Sequence, residues 1–237
     1  MLFSTEMVSK YHPDKFADQV SDAILTYYLK HDPYAHVACE CLAKGRTIVL
    51  GGEITSIVDG KREHRAIVED VASRLGYHVD DFVDLITPQS VQIGDAVNSC
   101  RTLGAGDQGM MFGYACRGGR YHLPYGQELA IGIIGAIEAD VSENPSSILK
   151  GDAKTQVTAD MDTPGYKKDV DTVLVSVCHK EGVRLEEVRS YVKRLLEDVP
   201  GALDGKLLIN PAGVWTLGGP DADCGLTGRK IVCDQYG

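Results

Sequence analysis

Paired cysteines, long apolar runs and clustered positive charge are all scarce in this 237-residue chain. Its seven cysteines, at positions 39, 41, 100, 116, 178, 224 and 233, are odd in number and scattered, with no Cys-x-x-Cys pair. That pattern excludes a disulfide framework and a zinc site, and it suits small core residues in a reducing compartment. No window reaches about 18 uninterrupted apolar residues, the length a membrane-crossing helix needs. The opening Met1-Leu2-Phe3-Ser4-Thr5-Glu6 has neither a basic region nor an apolar run of signal length, so the expectation is a cytoplasmic protein without a membrane partner. The 34 acidic residues exceed 24 basic ones, for a net charge of −10, and no stripe of Lys and Arg stands out. Nucleic acid is therefore not expected as a partner, although a few local bases with a metal can still hold a polyanion. With 43% hydrophobic and 24% charged residues, the composition is that of a soluble globular protein large enough for one large domain or two ordinary ones.

What is present is organised around Ser9 to Asp22. This stretch reads as a loop turning into a helix, with Pro13 at the first helical position and Phe16, Val20, Ile24 and Tyr27 at helical spacing. His12, Asp14 and Lys15 then fall where free backbone N–H groups and the positive end of the helix dipole favour anions such as phosphate. An acid there can hold a hard divalent cation beside the phosphate. The competing reading is that His-Pro-Asp is simply a helix cap with an acid in the first turn.

Two strands follow, His36 to Leu42 and Thr47 to Thr55, joined through Lys44-Gly45-Arg46. Glu40 and Glu53 lie within them. Pointing inward they would need a partner or a cation, and pointing outward they would be ordinary surface acids. A helix from Glu63 to Leu75 with Gly76 as C-cap and a strand near Phe82 to Ile86 come next. Thr87 to Gly109 shows no period, which suggests a functional loop. The pattern then starts again: a strand from Met110 to Cys116, a helix from Gln127 to Val141, and strands Ala153 to Met161 and Val170 to His179. A helix carrying Leu185, Val188, Val192, Leu195 and Leu196 and a strand from Lys206 to Asn210 complete it. Helix, strand, strand, helix, strand thus occurs twice, predicting an α+β fold of repeated αββαβ units. The expected division is 1–95, 96–217 and, from 218 to 237, the start of a third unit opening with a strand at Lys230 to Asp234.

Three further stretches carry chemistry. Gly104-Ala105-Gly106-Asp107-Gln108-Gly109 matches G-x-G-x-x-G, but a dinucleotide site needs a strand before it and a helix after it. The glycines better suit close backbone approach to a ligand, with Asp107 as the polar contact. Asp152 to Thr158 places Lys154, Gln156 and Thr158 on one strand face, where Lys154 can neutralise a phosphate or stand as a solvated edge residue. Gly218 to Lys230 packs four glycines, two acids and two adjacent bases into thirteen residues. Ordering so many glycines is costly for a plain linker, so a shaped ligand loop is expected, with Arg229 and Lys230 meeting phosphate.

Together these stretches resemble the S-adenosylmethionine synthetase, or methionine adenosyltransferase, family. The carrying residues are His12-Pro13-Asp14-Lys15 with Ala17-Asp18-Gln19, Ala38-Cys39-Glu40, Gly51-Gly52-Glu53-Ile54-Thr55, and Gly104 to Gly109 with Met111-Phe112-Gly113-Tyr114. Asp152-Ala153-Lys154, Ile209-Asn210-Pro211 and Gly218-Gly219-Pro220 through Lys230 continue the series. The resemblance implies a subunit of three α+β units, paired as a homodimer or higher oligomer with sites between subunits. It implies that ATP and L-methionine give S-adenosylmethionine, with the tripolyphosphate cleaved to diphosphate and phosphate.

By the same resemblance His12, Lys154, Arg229 and Lys230 are catalytic. ATP would be held by His12, Asp152, Ala153, Lys154, Asp223, Arg229 and Lys230, and methionine by Glu53, Gln92, Asp107 and Asp223. Asp14 would bind Mg²⁺ and Glu40 K⁺. Three departures stand out. Lys10-Tyr11 replaces the family's Glu-Gly, Val214 replaces an Arg, and the family continues past Tyr236-Gly237 with most of a third unit. A partner polypeptide, or a longer parent chain, would have to supply that part. The alternative is a catalytically inactive nucleotide-binding paralogue acting as a regulatory or interaction subunit.

Overall fold

The structure, a computed structural model, describes residues 1–90, 92 and 109–234. The first unit is built on α1 (Pro13–His31), the hairpin β2 (His36–Lys44) and β3 (Thr47–Thr55), then α2 (His64–Arg74) and β4 (Asp81–Thr87). β2 and β3 are antiparallel and β3 and β4 parallel. Strand alternation turns Cys39, Cys41, Ala43, Ile48 and Leu50 to one face, where they pack with Phe16, Val20, Ile24 and Tyr28 of α1 and Val68 and Val71 of α2. Tyr28, and not Tyr27, completes the buried stripe of α1, and its hydroxyl bonds the buried His64, which in turn contacts Asp84.

The second unit has the same grammar: α3 (Tyr125–Glu143), the antiparallel pair β5 (Leu149–Asp160) and β6 (Asp169–His179), α4 (Leu185–Leu195) and β7 (Lys206–Ile209), parallel to β6. Ile133 and Ile137 of α3 and Val188 and Val192 of α4 cover the Val157, Val173 and Val175 face. Each sheet has a fourth strand donated from elsewhere. β1 (Leu2–Val8) lies antiparallel to β5, giving the order β1-β5-β6-β7, and the two-residue β8 (Gly225–Leu226) lies antiparallel to β2, giving β4-β3-β2-β8. The sheets therefore share one topology and exchange their edge strands. A short helix, α5 (Gly219–Ala222), precedes β8.

Two expectations of the sequence fail. Residues 110–116 form no strand, and Met110, Met111, Phe112 and Tyr114 are exposed. A run apolar on both faces becomes a strand only where a sheet takes its backbone groups and layers cover both faces, and these residues pair with neither sheet. The stretch Lys230 to Asp234 is likewise a helical turn, α6 (Ile231–Asp234), in place of the start of a further sheet. The Lys230 carbonyl accepts from the N–H groups of Cys233 and Asp234, and only Cys233 is buried, so local bonds win over extension. Among the described residues no helix is long and apolar enough to cross a membrane.

Candidate active site

The site forms where the start of α1 meets β5 and the glycine-rich turn from 218 to 230. His12 is the N-cap of α1, and its Nδ1 accepts the Asp14 N–H at 3.1 Å. That bond puts the ring proton on Nε2, which is buried and has no partner. Burial first, then the ammonium groups of Lys230 and Lys154, push the His12 pKa down to about 4. His12 is thus a neutral imidazole with one N–H donor left over, facing cations.

Asp14 is fully buried, an arrangement that demands partners. Its Oδ1 accepts from the Leu226 N–H at 2.9 Å and Arg229 Nε at 3.1 Å, and its Oδ2 from Lys230 Nζ at 2.6 Å. Burial alone would raise its pKa, but hydrogen bonds from Lys230, Leu226 and Arg229 outweigh it and hold the carboxyl below its ordinary range. One helical turn on, Asp18 Oδ1 accepts the Gly228 N–H at 2.8 Å, so two acids on one face of α1 bind the returning loop. β8 and the Thr227 hydroxyl, which accepts the Cys41 N–H at 2.8 Å, anchor that loop to β2. Gly225 is required there, because a Cβ would fall 2.1 Å from the Pro13 carbonyl oxygen.

On the other wall, Asp152 is buried at the start of β5, and its Oδ2 accepts the Gly219 N–H at 2.7 Å. Burial raises its pKa, against the pull of that N–H and of Lys154, and its Oδ1 has no partner. Lys154 follows two residues along the strand and is half-buried. Ala153 between them is bonded through its backbone to Ser9, which ties β5 to the chain entering α1. Asp223 is exposed, 4.0 Å from Arg229.

Thus His12, Asp14, Asp152, Lys154, Asp223, Arg229 and Lys230, scattered over more than 200 residues of sequence, come together. Glu40 and Glu53 do not join them: both are exposed on the face of the first sheet that α1 leaves open. Gln92 is exposed as well, and Asp107, with Gly104, Gly106 and Gln108, lies outside the described residues. Val214 is exposed. The Lys10-Tyr11 departure is accommodated: the Tyr11 ring is buried over Gly151, and the Tyr77 hydroxyl donates to the Tyr11 carbonyl. The Lys10 ammonium lies 5.3 Å from the centre of that ring. Sequence reasoning missed the Tyr11–Gly151 pairing, the role of Asp18 and the Leu226 N–H. Only Asp18, four residues after Asp14 on a helix, left a usable signal.

A neutral N–H donor, an unpaired carboxyl oxygen and three cations in one cluster are chemistry for a polyanion bearing hydroxyl or amino groups. No group of three or more His, Cys, Asp or Glu side chains among the described residues could cage a metal. Asp14 still fits an ion that takes a single carboxylate, because Oδ2 carries only one partner. Glu40 stands alone opposite Gly51, which has no side-chain oxygen to contribute.

Comparison with known proteins agrees with this geometry. Residues 1–99 match the N-terminal domain model of S-adenosylmethionine synthetase, and residues 102–215 match the model of its central domain. The chain is 36% identical over its whole length to the S-adenosylmethionine synthase of Mesoplasma florum and 37% to that of Zymomonas mobilis, covering 66% and 65% of those proteins. It superposes on a solved structure described as an unusual S-adenosylmethionine synthetase from Campylobacter jejuni with a TM-score of 0.85 at 33% identity, covering all of this chain and 65% of that one. The chain therefore spans just under two thirds of the relatives it matches. Over the length it does have, motif order, sheet topology and two consecutive domain models all agree, and the chain belongs to the S-adenosylmethionine synthetase family.

Proposed function

We propose that this chain carries the polyphosphate-binding half of a methionine adenosyltransferase site, which forms S-adenosylmethionine from ATP and L-methionine and releases phosphate and diphosphate. One observation carries the reading: the buried His12 Nε2–H has no acceptor of its own and faces Lys154 and Lys230. Attack of the methionine sulfur on the ribose C5′ needs little proton transfer. It needs in-line alignment and a stabilised leaving group. In this reading His12 donates to the phosphate oxygen next to the reacting carbon. Lys154, Arg229 and Lys230 neutralise the departing tripolyphosphate. Asp152 accepts from ATP through Oδ1, the oxygen that Gly219 leaves free, with Ala153 holding the strand in place, and Asp223 touches both substrates.

Asp14 would hold Mg²⁺ jointly with phosphate oxygens, and the ion would supply further neutralisation of the leaving group. A K⁺ ion at Glu40 requires donors beyond the described residues of one chain. Glu53, Gln92 and Asp107 are assigned to methionine. Because Glu53 faces away from the cluster, the reading requires a homodimer or higher oligomer, or a separate polypeptide, to complete the site. It also takes the chain as units 1–95 and 96–217 followed by the start of a third, working in the cytoplasm.

The test is to incubate the purified chain with ATP, methionine, Mg²⁺ and K⁺, alone and with a polypeptide corresponding to the missing third of its relatives, and to measure S-adenosylmethionine. Formation in either mixture supports the proposal. Nucleotide binding without product in every mixture identifies a silent, regulatory paralogue.

A further inference from the structure

A separate cavity of about 270 Å³ lies on the far side of β1, between that strand, α3 and the end of β5. None of its described lining residues belongs to the site described above. Four aromatic residues, Phe3, Tyr114, Tyr125 and Tyr166, line it, and the last two rings meet edge to face at 5.8 Å. Two side chains lining it, Thr5 and Gln127, are 4% and 3% exposed, and each keeps a polar oxygen with no partner, Thr5 Oγ1 and Gln127 Oε1. Buried polar atoms left unpaired in this way are costly, so a ligand that satisfies them gains specifically from doing so.

Charge at the cavity runs against the rest of the molecule. The chain has 34 acids and 24 bases, yet Arg117 and Lys168 line the cavity and, among the described residues, no Asp or Glu does. The Lys168 ammonium donates to the carbonyls of Met161 and Thr163, which fixes it in position with one of its three donors to spare. The volume falls just below the roughly 300–1,000 Å³ of drug-sized sites, which limits the occupant to a small molecule.

We propose that this cavity is a second binding site, for a small planar aromatic carboxylic acid that also carries an N–H or O–H donor. The ring stacks among the tyrosines, the carboxylate meets Arg117 and Lys168, and the donor reaches Gln127 Oε1 or Thr5 Oγ1. The proposal is independent of the transferase reading.

Calorimetric titration of the whole chain tests it, with indole-3-acetate as the acidic probe and indole as its neutral analogue. Indole-3-acetate is expected to bind at one site, at least fivefold more tightly than indole, and saturating tripolyphosphate is expected to leave both affinities unchanged. Arg117→Gln, at an exposed position, should weaken indole-3-acetate about tenfold and leave indole unaffected. Ala159→Leu, which fills the cavity, should abolish both; if that variant does not fold, the Arg117→Gln comparison decides alone. Absence of binding by either compound, equal affinity for the two, equal weakening of both by Arg117→Gln, competition by tripolyphosphate, or a crystal structure with Met110 to Phe112 folded into the cavity would each overturn the proposal.

Discussion

Asp14→Asn removes one charge and little else, and the structure assigns that charge a definite weight. Asparagine keeps the side chain's shape and can still accept the Leu226 N–H through its carbonyl oxygen. The variant loses the charge that faces Lys230 at 2.6 Å and Arg229 at 3.0 Å from a fully buried carboxylate. Arg229 is 44% exposed and has Asp223 within 4.0 Å, so solvent and that acid compensate it, and its share is small. Lys230 is only 18% exposed and is left without its counter-charge. Breaking one side of a buried pair costs about 3–5 kcal/mol, and with Arg229 compensated the expected loss is at the lower end, about 3 kcal/mol. For a chain of this size that is a fall in Tm of roughly 6–12 °C, measurable by circular dichroism. Lys230→Met alone strands Asp14 in the same way, but the double variant removes both charges. It should therefore be more stable than the sum of the singles by about 1.5–3 kcal/mol. The Asp14 carboxyl sits below its unfolded value of 3.8, so its contribution is fully present above about pH 4 and is lost as the pH falls through its folded-state value. A Tm shift under about 2 °C, or additivity of the two single variants, would refute the claim that this pair holds the glycine-rich turn to α1.

The buried His12 should make stability fall in mild acid: with a folded value of about 4 against 6.5 unfolded, the unfolded chain takes up the proton first, costing about 2 kcal/mol between pH 7 and pH 5. Urea titrations at the two pH values should show that loss in the parent and a smaller one in His12→Gln. Lys154→Ala, assayed in whichever mixture forms S-adenosylmethionine, should lower kcat about 10²–10³-fold with little change in the methionine KM; a change confined to that KM would remove Lys154 from the leaving-group side. Gly151→Ala sets a Cβ 2.7 Å from the Tyr11 ring at a backbone angle φ of +95°, so it should destabilise by about 1–3 kcal/mol. Tyr11→Ala in the same chain should recover part of that in urea denaturation, since it relieves the clash and leaves the backbone strain.

The helices and hairpins were legible because their apolar residues keep step with a helix or strand. α1, α3, β5 and β6 lie within a few residues of where periodicity placed them, and the doubled order of elements is real. β1 escaped notice because its pattern is inverted: Leu2 and Phe3 are exposed, while Thr5 is buried. β8 has two residues, too few to show any period. Residues 110–116 and 230–234 misled because local apolar content says nothing about whether a sheet edge is free to receive a strand. At the site, the charge-bearing residues stood out by type and motif. The Leu226 N–H, the free Asp152 oxygen and the fit of Tyr11 over Gly151 did not, because backbone groups and shape leave no mark in residue identity.

Each sheet borrows its edge from the other half of the chain, and this bears on how the molecule can be taken apart. Proteolysis in the connection between β4 and α3 would sever one covalent link yet leave β1 clasped to β5 and β8 to β2, so the nicked protein should travel as a single particle through gel filtration. Either piece produced alone would bare a strand edge that the whole chain covers, an invitation to pair with another copy of itself. Mixing the two pieces should cure that tendency, because each brings the ribbon the other lacks.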